Sequence, residues 1–183
     1  MQAPVMVLSE LATLTEVSQG TSLARFGHGE LAIMNGMDAR YQKYDPRLAE
    51  ELRNVLRSSK CLVAVPHTRG RRSWEWRVFL EEYGRDIRED RWYGSAFVSR
   101  ADEIEWPDGY ADMAADLLKR GSKLQGSGGI DDYDRIDHLE KAAMACADMP
   151  ILLSCGPTAT VLADRLDRRG LWAVDIGNLR MFL

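Results

Sequence analysis

Residues 150–178 read PILLSCGPTATVLADRLDRRGLWAVDIGN, and this stretch decides the fold class. Its apolar run ILLSC, bounded by Pro150 and Gly156, is strand-length rather than helix-length. Pro157 suits a first helical position, the residues after it keep helical spacing, and Gly170 closes the segment. LWAVDIG then returns as a second strand. Two strands joined by a helix predict a parallel pair, the repeating unit of an α/β protein.

The chain on either side repeats this alternation. Residues 9–19 predict a helix with Ser9 as N-cap and Gly20 just past its end. A strand near 22–26, a glycine turn and a short helix to about 36 follow. DPRLAEELRNVLRSS predicts a strong helix, with Asp45 as cap, Pro46 in the first turn, and Leu48, Leu52, Val55 and Leu56 on one face. CLVAVP and SAFVSR predict further strands, and residues 73–83, 109–119 and 133–147 further helices. Residues 119–132, KRGSKLQGSGGIDD, have no apolar period and read as a loop that orders over a ligand or as an inert connection. The expected architecture is α/β, Rossmann-like, with a largely parallel sheet flanked by helices.

At 183 residues the chain is expected to form a single domain over 1–183 with a substantial core. A net charge of −4 argues mildly against a nucleic-acid partner, and a homo-oligomer is compatible with the composition. The start, MQAPVMVLSELATL, lacks the basic and apolar regions of a signal peptide, and no stretch reaches the length of a membrane span. Cys61, Cys146 and Cys155 show no metal-ligand spacing, so a reduced, cytoplasmic setting is expected.

In parallel sheets ligands gather where strands end. Four segments there carry glycine or polar residues: RFGHGE, PHTRGRR, SCGPTAT and VDIGN. In the first, Gly27 and Gly29 permit close approach, while Arg25, His28 and Glu30 could hold a charged ligand or a metal. The same turn also reads as an ordinary helix start, with Glu30 favoured by the helix dipole. Gly156, Pro157 and Thr158 open a helix whose free amides suit phosphate, or simply make a well-formed start. Asp175 is placed to coordinate, accept a proton, bind a hydroxyl or cap a turn. Arg69, Arg71 and Arg72 form a basic loop that would meet a diphosphate or stay solvated. Trp74 and Trp76 would stack on a ligand ring or pack on the sheet, and His67 and His138 stand alone. GxGxxG, P-loop, HExxH and GxSxG patterns are absent.

Taken together, SLARFGHGEL, YQKYDPRLAEELRNVL, FVSR and LLSCGPTATVLADRLDRRGLWAVDIGN resemble the bacterial glycosyltransferases of the GT-D fold. That family's pattern runs approximately RFGDGE, a Gln-Lys-Tyr-Asp segment, then GPTA and DIGH. The resemblance spans about residues 21–100 and 150–178, and its closing segment is the most specific part.

The resemblance implies a Rossmann-like domain that takes a nucleotide-sugar donor, commonly a UDP-sugar, with a divalent metal such as Mn2+ or alternatively Mg2+. The acceptor would be a glycan, a protein or another hydroxyl compound. The family's Asp-x-Glu motif falls on His28 and Glu30, which with Asn178 are the implied metal positions. Arg25, Gly27, His28, Gly29, Arg100, Gly156, Pro157 and Thr158 are the implied donor-binding positions, and Glu30 and Asp175 the catalytic ones, Asp175 as general base. Two positions depart from the pattern: His28 stands for an acidic residue and Asn178 for a histidine. A catalytically weakened nucleotide-sugar binding subunit is the alternative expectation.

Overall fold

The computed structural model describes residues 5–67, 73–96, 110–126 and 132–177. In chain order the elements are β1 (Met6–Val7), α1 (Glu10–Ser18), β2 (Leu23–Arg25), α2 (His28–Met34), α3 (Pro46–Ser58), β3 (Leu62–Val65), α4 (Ser73–Tyr83) and β4 (Trp92–Ser95). The second half carries α5 (Tyr110–Arg120), β5 (Ser122–Gln125), a 3-10 turn (Asp132–Arg135), α6 (Ile136–Met144), β6 (Ile151–Ser154), α7 (Pro157–Asp167) and β7 (Ala173–Asp175).

The caps expected from the sequence are in place. Ser9 Oγ accepts the Ala12 amide at 3.2 Å, and Asp45 Oδ1 accepts the Arg47 amide at 2.7 Å ahead of Pro46. The buried face of α3 is Leu48, Ala49, Leu52, Val55 and Leu56, the helical spacing read in the sequence with Ala49 added.

The strands form one parallel sheet in the order β1-β4-β3-β2-β7-β6-β5. The chain steps outward through β2, β3 and β4, crosses to the far edge at β5, and steps back through β6 and β7. The two halves therefore meet where β2 lies beside β7, in register at Leu23 and Val174. Alternation along β3 sorts the two faces. Val63 and Val65 join a core with residues of α2, α3, α4, α6 and α7, while Leu62 and Ala64 join Leu14 and Val17 of α1 and Leu117 and Leu118 of α5. No helix among the described residues is long and apolar enough to cross a membrane.

Three readings of the sequence need correction. Residues 119–132 are not a continuous loop, because Ser122–Gln125 pairs with β6 along its whole length. Its polar sequence is tolerated because β5 is an edge strand, packing only Leu124 on the core. The strand expected in SAFVSR lies earlier, at Trp92–Ser95, where Tyr93 is fully buried; residues 97–100 fall outside those described. Met6–Val7 adds a strand too short to leave a periodic signal.

Candidate active site

At the end of β2 the chain turns directly into α2. Glu30 reaches back so that its Oε2 accepts the Gly27 amide at 2.6 Å, half of a capping box, since Gly27 has no side chain to return the bond. A Cβ placed on Gly27 would lie 3.0 and 3.2 Å from the terminal nitrogens of Arg25 and 3.3 Å from Glu30 Oε2. Gly27 is therefore the gap into which the Arg25 guanidinium and the Glu30 carboxylate fold. Glu30 is buried, whereas His28 is exposed at the first position of the helix.

The start of α7 comes from the other half of the fold. Gly156 takes φ 58° and ψ −146°, a conformation that essentially only glycine adopts, and Pro157 follows as the first helical residue. The two helix starts touch: a Cβ on Gly29 would lie 3.3 Å from Pro157 Cγ. Thr158 is wholly buried and its hydroxyl donates to Gln42 Oε1 at 3.1 Å, so it builds the site from behind and presents no hydroxyl to a ligand.

Asp175 ends β7 beside them and is 2% exposed. Its Oδ1 accepts the Gly177 amide at 3.0 Å, and its Oδ2 lies 3.1 Å from Thr160 Oγ1, which donates to the Arg25 carbonyl at 2.8 Å. Burial pushes the Asp175 carboxyl up to about 7; Arg25 draws it down and Glu30 pushes it further up. Thr160 has one proton and the Arg25 carbonyl can only accept it. Given to the Arg25 carbonyl, it leaves Asp175 to donate a proton of its own; given to Asp175 Oδ2, it draws that carboxyl down. Both oxygens are thus engaged within the protein. This geometry suits a residue that braces Arg25 and the β7 turn, and it does not suit a base that reaches an acceptor.

Of the residues expected at this edge, Arg25, Gly27, His28, Gly29, Glu30, Gly156, Pro157, Thr158 and Asp175 do converge around the β2–β7 junction. Arg100, Asn178, Arg69, Arg71 and Arg72 lie outside the described residues. Two buried polar residues were given no role by the sequence reading. Gln42 bridges Thr158 to the Tyr133 amide, its Oε1 accepting the latter at 3.3 Å. Asp132 sits against the end of β5, where a Cβ on Gly126 would fall 1.8 Å from its Oδ2. A carboxylate directly after a glycine-rich segment was its only signal. The thiols of Cys61 and Cys155 are pushed up to about 12 by burial, which leaves them protonated and inert.

A cleft of about 700 Å3 opens nearby, at the starts of α3 and α6. Its arginines are paired within it: Arg165 grips Glu51 at 2.7 Å and Asp137 at 3.1 Å, Arg47 pairs with Asp134 at 3.2 Å, and the Tyr133 hydroxyl donates to Glu51 at 2.6 Å.

Comparison with known proteins bears on the fold and on the class of protein this chain resembles. The family described as glycosyltransferase GT-D fold matches residues 23–106, which run from β2 past β4. A probable glycosyl transferase of Streptococcus gordonii is 29% identical over 89% of this chain and 30% of its own length. The glycosyltransferase GlyD of Streptococcus pneumoniae is 27% identical over 89% of this chain and 25% of its own. The chain thus spans about a third or less of the curated relatives it matches. Among solved structures, a glycosyltransferase from Streptococcus sanguinis superposes with a TM-score of 0.80 at 26% identity, covering 96% of this chain and 82% of that one. A structure described as a distinct glycosyltransferase fold superposes at 0.77 with 24% identity, which bears on the fold alone. Sheet order and these likenesses agree on the fold: the chain folds like the GT-D glycosyltransferases, and the family model of that fold matches its residues 23–106.

Proposed function

We propose that this domain transfers a sugar from a nucleotide-sugar donor, a UDP-sugar in the first instance, to a hydroxyl acceptor. The observation that supports this most is the meeting of Arg25, Glu30 and the α7 start at the β2–β7 junction, where topology opens a crevice. A departing nucleoside diphosphate gathers negative charge, and a guanidinium with helix amides stabilises that charge. Arg25 is held for this role by Asp175 and Thr160 through its own carbonyl and by the bare face of Gly27.

A divalent cation is part of the proposal. Among the described residues no group of three His, Cys, Asp or Glu gathers as a metal cage. A hard cation that shares a diphosphate and keeps its waters needs only one or two protein ligands. Glu30 is the carboxylate assigned to it, its Oε2 already oriented by the Gly27 amide, and exposed His28 is next in line. Bound there, the cation would supply charge neutralisation to the leaving diphosphate.

The test is release of sugar and UDP from a panel of UDP-sugars, with Mn2+, with Mg2+ and with chelator. Metal-stimulated release supports the reading. Donor binding without any release favours the binding-subunit alternative, and neither binding nor release overturns both.

A further inference from the structure

The turn at residues 39–42 inverts the usual distribution of polar and apolar groups. Ala39 and Gln42 close it with paired backbone hydrogen bonds of 2.8 and 3.3 Å, leaving Arg40 and Tyr41 at its tip. Gln42 is 3% exposed, while Tyr41 is left 42% exposed. A folded chain normally covers the aromatic and wets the amide. Here both polar atoms of the buried amide have partners: Oε1 takes the Thr158 hydroxyl and the Tyr133 amide, and Nε2 donates to the Lys43 carbonyl at 3.2 Å. Asp38 Oδ1 adds a brace by accepting the Tyr44 amide at 2.8 Å. The tip is therefore rigid, and its place is specific. Tyr41 Cβ lies 3.5 Å from where a Cβ on Gly156 would stand, so the ring rises directly beside the α7 start. Arg40 lies 5.1 Å from the ring centroid on one side.

We propose that Tyr41 is the stacking face for the nucleobase of the donor, and that Gln42 is the positioning residue that holds it beside Gly156. This rests on the donor reading above. A rigid, half-exposed ring beside a diphosphate-binding helix start gives a base a flat apolar partner without ordering cost at binding. Arg40 adds a cation on the same tip, matching the charge of the diphosphate.

Calorimetric titration with UDP, TDP, GDP and ADP, and with inorganic pyrophosphate, tests this. Tyr41→Ala should weaken the preferred nucleoside diphosphate at least fivefold and leave pyrophosphate unchanged, while Tyr41→Phe should bind like wild type. Gln42→Leu should reproduce the Tyr41→Ala selectivity, and Gln42→Glu, which keeps the accepting oxygen, should recover most of it. Equal binding by wild type and Tyr41→Ala overturns the stacking face and leaves the donor reading standing. Equal losses for nucleotide and pyrophosphate also overturn it, because a base contact cannot weaken a ligand that has no base. Wild-type protein that binds none of the four nucleotides overturns the donor reading and this inference together. Tyr41 is on the surface, so its variants decide the matter even if Gln42→Leu does not fold.

Discussion

Asp175 concentrates the electrostatics of the site in one side chain. With its carboxyl raised to about 7 in the folded protein, the native state binds a proton that the unfolded chain gives up near 4. The stability associated with that proton is present at low pH and is lost as pH rises through about 7. Asp175→Asn mimics the protonated form, since its amide can donate to Thr160 and its oxygen can accept the Gly177 amide. Urea unfolding at pH 5 and pH 8 should show the variant gaining on wild type at pH 8, by about 3 kcal/mol at most. An equal difference at both pH values would show that Asp175 is ionised throughout.

Glu30 makes a second residue-scale case. Glu30→Gln keeps an oxygen for the Gly27 amide, so the turn should survive with a Tm within a few degrees of wild type. The negative charge is lost, and metal-stimulated sugar release should fall about a hundredfold. His28→Asp should preserve or raise release with Mn2+, because an exposed first-turn position accepts a carboxylate and offers a hard ligand. A Mn2+ titration of both variants checks this, and wild-type metal dependence in Glu30→Gln would remove Glu30 from the metal site.

At the scale of elements, the caps and the turn at 39–42 carry different loads. Asp45→Ala removes a cap from an exposed helix start and should cost about 1 kcal/mol. Gln42→Leu leaves a buried hydroxyl and a buried amide without their acceptor, and should cost about 2–3 kcal/mol. Chemical denaturation ranks the two, and the reverse order would mean that the turn tolerates repacking. These loads were unequally legible. Asp45 announced itself through the following proline and the periodic leucines. Gln42 stood in the Gln-Lys-Tyr-Asp segment of the resemblance, but its burial gave no local signal, because its partners Thr158 and Tyr133 stand 116 and 91 residues away. Asp175 was visible as a strand-end carboxylate, but its burial, and so its loss of access to an acceptor, depended on Thr160 and Arg25 folding over it.

For the whole molecule, the sheet order predicts where the structure opens first. β2, β7 and α7 lie at the centre, whereas β1 and β5 are edge strands. Hydrogen exchange should be slowest at Ala24, Val174 and Val161 and fastest in Met6–Val7 and Ser122–Gln125. Protection of β5 equal to that of β7 would show that the far edge is covered by something further. Local pattern alone determined the helix starts, the buried strands in CLVAVP and PILLSC, the parallel α/β class and the glycines at the strand ends. Each of these is written within a few residues, as a period of two or 3.6 or as a backbone requirement of Gly or Pro. Only the tertiary structure decided that the polar segment 122–125 is a strand, that Thr158 and Asp175 turn inward, and that Tyr41 stands against Gly156. An edge strand takes its hydrogen bonds from a neighbour rather than from its own pattern. Burial and proton affinity likewise belong to the groups that long-range contacts bring together, and no local window of sequence contains them.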